Sequence, residues 1–447
     1  MSVTSERQQA QRYVLTLLCA GALAICLVVA VNLVVDPFGM FRLVHTPALN
    51  EQRPAIYHRV RLLKAYDVRR IGPQVLVLGT SRSHLGLRMS HPGWRAPLSR
   101  RYNLAFDGAT TQEMYAYLRH AHAVSPLRQV VLGLDSYHSF NVPATTRPDF
   151  DQDLLLDGPA LKSKLGLLAK DLELLAGVTT LSESWNTIRA QAVPQNQWFA
   201  PDGQRLGEVF FHRPGESYVE QGPRHYFDEI DRLEVGFQLE WRIPRRTRVT
   251  GLIPVVERHD AETSLSYIEK IIGFCRERSI DLRIFITPSH VHQLEIAAAT
   301  GGWAAIEQGK RDLVRLLARD AAAHPGAPAV RLYDFSTYSS VTTEPLPPAG
   351  SRVEMRYYWD SSHFREIVGD WVLDRLLDAQ GAGLPVPDDF GQVLTPENVE
   401  QVIVRMRKAR ARYRRTHGNE VEKIRRWVDD FLQKHGIDRR EVVLARV

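Results

Sequence analysis

Val75-Leu76-Val77-Leu78-Gly79-Thr80-Ser81-Arg82-Ser83 is a run of four apolar residues, every second one β-branched, cut off by Gly-Thr-Ser. Such a run reads as a short buried strand, and the glycine and hydroxyl residues end it abruptly. Ser81 falls at the carboxyl end of that strand. Open α/β sheets place their ligands there, because the loops leaving the strands converge on one crevice. A serine nucleophile in that position needs a base, a group to orient the base, and donors for an oxyanion.

Working outward, residues 102–106, 129–134, 282–286 and 330–335 repeat the short apolar pattern, and amphipathic helical patterns at 53–70, 111–123, 261–279 and 309–323 are interspersed with them. Strands alternating with helices predict an α/β fold, a three-layer sandwich around a central parallel sheet of about five strands. Between the third and fourth strands lies an insertion, 146–258. It opens with a Leu-rich helical stretch at 153–175 and then turns aromatic through Trp198, Phe210, Phe211, Tyr218, Tyr226 and Phe227. Insertions at this edge of a sheet form lids or substrate walls, or packing subdomains.

Residues 13–35 contain no charge, and 23 residues are enough to span a bilayer with some tilt. The run is too long for the apolar core of a cleaved signal, so it reads as a signal anchor, with 1–36 as stub and span. Arg7 and Arg12 precede it and Asp36 follows. The positive-inside rule then predicts a single-pass protein with a cytoplasmic N-terminus and everything after Asp36 outside, in the periplasm if the membrane is a bacterial inner membrane.

The net charge of +6 is a C-terminal property, since 401–447 holds 14 Lys/Arg against 6 Asp/Glu. Residues 381–447 read as a basic helical extension, with helices at 397–415 and 420–435. It is either a solvated helix pair or a contact for anionic lipid, acidic polysaccharide or a protein. Nucleic acid conflicts with an extracytoplasmic location. The three cysteines, Cys19, Cys26 and Cys275, form no disulfide framework, and no Cys/His spacing suits a metal or implies a cofactor.

The second informative stretch is Tyr357-Tyr358-Trp359-Asp360-Ser361-Ser362-His363-Phe364-Arg365. An aspartate three residues ahead of a histidine can accept the imidazole's second N–H, fixing the tautomer and stabilising the imidazolium. Ser81, His363 and Asp360 therefore make a complete candidate triad. Arg82 either binds a uronate or phosphate or pairs with a local acid. His290, with His292, is expected at the cleft wall, and Tyr358 and Trp359 either stack on a sugar ring or pack their loop.

Gly79-Thr80-Ser81-Arg82-Ser83, Gly108 and Asp360-Ser361-Ser362-His363 together resemble the SGNH (GDSL-like) hydrolase superfamily. The resemblance covers roughly 70–145 and 262–380, within a domain at 37–380. Inside that superfamily the chain is similar to membrane-anchored proteins acting on envelope polymers, such as alginate O-acetyltransferase proteins and the D-alanyl transfer protein of teichoic acid. It implies a flavodoxin-like sheet, metal-independent ester chemistry, Ser81 as nucleophile, His363 as base, Asp360 as orienter and Gly108 as a backbone oxyanion donor. The Gly-x-Asn-Asp block of the superfamily is replaced by Gly133-Leu134-Asp135-Ser136. A carboxylate donates no hydrogen bond, so Asn141 is the candidate for the missing donor.

The function expected is a membrane-anchored extracytoplasmic serine esterase or O-acyltransferase on an exported or cell-envelope polysaccharide, working beside polysaccharide export or acylation proteins. The alternative is a non-catalytic glycan-binding or assembly protein on the same scaffold.

Overall fold

The strands, in chain order, are β1 (Val75–Leu78), β2 (Arg101–Asn103), β3 (Gln129–Leu134), β4 (Pro143–Thr146), β5 (Glu257–Thr263), β6 (Asp281–Ile286), β7 (Leu332–Asp334) and β8 (Gln392–Leu394). The helices that matter begin with α1 (Val3–Val35), α2 (Val60–Ile71), α3 (Ser81–Gly86), α4 (Thr111–Val124), α5 (Leu161–Ala176) and α6 (Val178–Ala190). They continue with α7 (Gly207–Phe211), α8 (Ser217–Glu220), α9 (Pro223–Glu240), α10 (Ser264–Glu277), α11 (Val291–Ala299), α12 (Trp303–Ala323), α13 (Glu366–Leu377), α14 (Val399–Thr416) and α15 (Gly418–Lys434). The computed structural model describes residues 3–94, 98–136, 142–156, 161–192, 197–240, 257–379 and 384–442.

All residues of β1 and β3 are buried, as expected of parallel strands covered on both faces. One sheet of six strands runs in the order β2-β1-β3-β6-β7-β8. Every pairing is parallel except β7 with β8, which is antiparallel. The five strands β2, β1, β3, β6 and β7 are parallel, as expected, and β8 adds an antiparallel sixth that the sequence did not reveal. The three residues of β8, following a Pro-rich break, are too short to carry a periodic signal and pair only with an edge. A separate antiparallel pair joins β4 to β5.

The chain divides into two compact units. The first combines Met1–Gly72, Arg119–Val124 and Asp151–Gln197. In it α1 is long and apolar enough to cross a membrane, and its most apolar stretch is bare of protein neighbours. Only its last turns are covered. Asn32 Nδ2 donates to the Leu175 carbonyl at 2.7 Å, and Ser184 Oγ donates to Asn32 Oδ1 at 2.8 Å. Asp171 on α5 accepts from Arg69 at 2.9 Å and from the Tyr66 hydroxyl at 2.5 Å, fixing α5 to α2.

The second unit, Pro73–Leu118, Ser125–Phe150 and Trp198–Val447, holds the sheet. Its core is built from Val77, Val131, Phe285, Phe335, Phe364, Trp371 and Phe390 among others. The expected insertion is therefore divided: its Leu-rich half belongs with α1, and its aromatic half belongs with the sheet. The basic tail is likewise part of this unit. Ile424, Val428 and Leu432 of α15 pack against Val235 and Leu239 of α9 and Ile296 of α11. Among its cations, Arg407 pairs with Glu307 and Arg414 with Glu295 at 2.8 Å, both acids of the body, and its Glu420 pairs with Arg224 of α9 at 2.9 Å.

Candidate active site

Ser81 opens α3 directly after β1, with Thr80 as the cap whose hydroxyl accepts from the Arg82 N–H at 3.4 Å. The turn is tight because Ser83 is wedged between two strand ends. A Cβ on Gly79 would lie 2.4 Å from Ser83 Oγ, and one on Gly133 would lie 2.3 Å from it. Only glycine fits at either position without displacing Ser83. Asn103 at the end of β2 braces the same turn, donating to the Ser83 and Leu87 carbonyls at 3.0 and 2.8 Å.

His363 comes from a narrow loop closed by the bridge between Tyr358 and Phe364. Asp360 shapes that loop, accepting from the backbone N–H groups of Ser362 (2.7 Å) and His363 (2.9 Å). Its other oxygen lies 2.8 Å from His363 Nδ1, and His363 Nε2 lies 2.8 Å from Ser81 Oγ. The carboxylate thus holds Nδ1 as the protonated nitrogen and leaves Nε2 to accept from the serine. Asp360 is fully buried, while the His363 side chain keeps one-fifth of its surface open to a cavity.

That cavity, of about 420 Å³, is lined at its base by Ser81, Gly108 and His363 and along its walls by Arg147, Phe210, Tyr226 and Phe237. Gly108 adopts φ +58°, a conformation that suits glycine, and its carbonyl accepts from Arg147 Nε at 3.2 Å. Asp107 also lines it. Partial desolvation works to raise the half-exposed Asp107 carboxyl, but Arg205 at 2.7 Å, with His84 and His363, holds it well below the usual carboxylate range. A second, ionised carboxylate therefore stands within electrostatic reach of His363. No local pattern marks Asp107, Arg147 or Arg205, since each is brought in by the packing of a different segment.

Arg82 lines the cavity but is not available to a substrate. Its Nη1 donates to Asp135, its Nε to the Ser362 carbonyl at 3.1 Å and its Nη2 to Ser362 Oγ at 2.8 Å. Asp135 also accepts from Thr80 Oγ1 (2.8 Å) and Thr287 Oγ1 (2.9 Å), and Ser362 Oγ donates to Glu234. Of the two readings of Arg82, pairing with a local acid is the one observed. Asp135 is an acceptor beneath the serine turn.

Three further expected contacts lie away from the cavity. His290 is buried, its Nε2 donating to the Glu344 carbonyl at 2.9 Å, and burial, with His292, pushes its pKa well down. Tyr358 is buried against the His290 ring. Trp359 is occupied on both faces, stacked on Phe211 at 4.8 Å and covered by the Arg365 guanidinium at 3.6 Å. No face of it is left for a sugar. Asn141 lies outside the described residues. Among the described residues no group of three His, Cys, Asp or Glu side chains is arranged to hold a metal ion.

No known protein-family profile matches the chain, and no curated protein matches it in sequence.

Proposed function

We propose that the protein is a membrane-anchored, extracytoplasmic serine esterase or O-acyltransferase of SGNH type, acting on an exported or cell-envelope polysaccharide. The observation that carries the reading is the contact of Ser81 Oγ with His363 Nε2 at 2.8 Å, backed by Asp360, at the base of a cavity. A flavodoxin-like sheet is supported by strand order. With β4 and β5 outside the main sheet, its parallel strands run second, first, third, fourth, fifth in chain order. The switch of direction falls at β1 and β3, beside Ser81. The polysaccharide, the inner membrane and the cytoplasmic N-terminus come from the resemblance and from the charges flanking α1.

In the reaction Ser81 Oγ attacks the acyl carbonyl carbon and its proton passes to His363 Nε2. Gly108 offers its backbone N–H to the oxyanion. The acyl C–O bond breaks, the departing oxygen takes the proton from His363, and acyl-Ser81 remains. A sugar hydroxyl or water then gives its proton to His363 and attacks the acyl carbon, restoring Ser81. The test is hydrolysis of p-nitrophenyl acetate by wild type and Ser81→Ala. Turnover confined to the wild type is expected, and equal rates would remove Ser81 from the mechanism.

A further inference from the structure

The hairpin of α5 and α6 carries an apolar surface that the first unit does not bury. On α5, Leu167 and Leu175 face inward, with Asp171 held by Arg69 and Tyr66. Leu165, Leu168 and Leu172 are each more than half exposed. Their i, i+3, i+7 spacing puts them in one stripe along the helix. On α6, Val178 and Trp185 are likewise more than half exposed, seven residues apart on one face. A helix apolar on two sides is suited to a medium other than water on its second side.

The position of the hairpin along α1 identifies that medium. Asn32 is the residue of α1 that both helices grip, through the Leu175 carbonyl at 2.7 Å and Ser184 Oγ at 2.8 Å. From Tyr13 to Asn32 the helix rises about 30 Å, the thickness of a bilayer's hydrocarbon core. Asn32 therefore stands where the span leaves the lipid. Trp185, adjacent to Ser184, falls at the same depth, the level at which tryptophan collects in membrane proteins.

We infer that the α5–α6 hairpin lies in the outer membrane–water interface with Leu165, Leu168, Leu172, Val178 and Trp185 in the acyl-chain boundary, a second membrane contact beside the span. The inference rests on the membrane-anchored part of the function proposed above. It makes α1 and the hairpin one three-helix membrane element.

The full chain reconstituted into vesicles of phosphatidylethanolamine and phosphatidylglycerol tests it. The single variants Leu168→Cys, Leu172→Cys and Val404→Cys are exposed to a membrane-impermeant maleimide, and labelling is read peptide by peptide by mass spectrometry. Val404, partly exposed on α14, is the aqueous reference, and native Cys19 on α1 reports the span itself. Positions 168 and 172 should react about tenfold or more slowly than 404, because the reactive thiolate is disfavoured in an apolar medium. The protection should persist on dilution into excess lipid. Rates equal to that at 404 with Cys19 still protected overturn the hairpin contact and leave the span standing. Free reaction of Cys19 overturns the span and the contact with it. Protection that disappears on dilution assigns the stripe to a second copy of the chain and overturns the lipid contact.

Discussion

Arg82 and Ser362, 280 residues apart, are joined by two hydrogen bonds, Nε to the Ser362 carbonyl at 3.1 Å and Nη2 to its hydroxyl at 2.8 Å. One is the immediate neighbour of Ser81 and the other of His363. The guanidinium, anchored below by Asp135, thereby sets the spacing between Ser81 and His363, the proposed nucleophile and base. Its planar fork reaches the three partners from fixed angles, which a lysine ammonium would not do.

Arg82→Met should strand Asp135 and Glu234 as buried acids without their cation and cost about 3–5 kcal/mol of stability. Arg82→Lys should keep the charge and lose the fork, so ester turnover should fall more than stability does. Thermal unfolding of the detergent-solubilised chain, alongside p-nitrophenyl acetate hydrolysis, separates the two effects. An Arg82→Lys variant with wild-type turnover would refute the spacing role.

Asp360→Asn should leave the loop folded, because an amide oxygen can still accept from the Ser362 and His363 N–H groups. The amide NH₂ would then face His363 Nδ1 and favour the opposite tautomer, with Nε2 protonated toward the serine. Turnover should drop by roughly 10³–10⁴ with an unchanged melting temperature. Labelling of Ser81 by a fluorophosphonate should slow in parallel.

Gly369→Ala should pry α3 from α13. The added Cβ would lie 1.7 Å from the Gly86 carbonyl, and Gly86 itself has no room for a Cβ beside the Phe364 ring. Backbone must move on the helix that begins with Ser81, at a cost of about 1–3 kcal/mol. Turnover should fall together with the melting temperature, in contrast to Asp360→Asn.

His120 should make the first unit sensitive to mild acid. Its Nδ1 accepts from the Leu156 N–H at 2.8 Å and its Nε2 donates to the Ala65 carbonyl at 3.0 Å, so the ring is held neutral. Burial lowers its pKa to about 4; Arg69 assists and the Ala65 carbonyl opposes. The unfolded chain takes up the proton near pH 6.5. Stability is therefore full above that pH and declines as pH falls toward 4, by about 3 kcal/mol across the window. Melting of the helical signal at pH 7 and pH 5 measures the slope, and His120→Gln should flatten it.

What could be read from the sequence was local. The strand at 129–134 was visible to the residue, because Val130-Val131-Leu132-Gly133-Leu134, a run without a charge, leaves little choice. Ser81, Asp360 and His363 were visible because each sits in a short motif with a chemical reason for its spacing. The supporting residues were not. Asp135 looks like a failed donor until Thr80, Arg82 and Thr287 converge on it, and Glu234 arrives from a helix inside the insertion. Trp359 and His290 have the composition of a sugar subsite, and only the packing of Phe211, Arg365 and the Glu344 carbonyl around them shows otherwise. Partners remote in sequence leave no periodic trace.

The 282-residue separation of Ser81 and His363 has a consequence for biosynthesis. At the usual rates of synthesis the serine precedes the imidazole by roughly a quarter of a minute to a minute. Arg82, Thr80 and the β1 strand emerge with the serine, while Asp360, Ser362 and Glu234 do not. A ribosome-bound or truncated chain that stops short of residue 363 therefore carries Ser81 without its imidazole partner, and under the proposed mechanism acyl transfer at Ser81 waits until the chain has been made past His363.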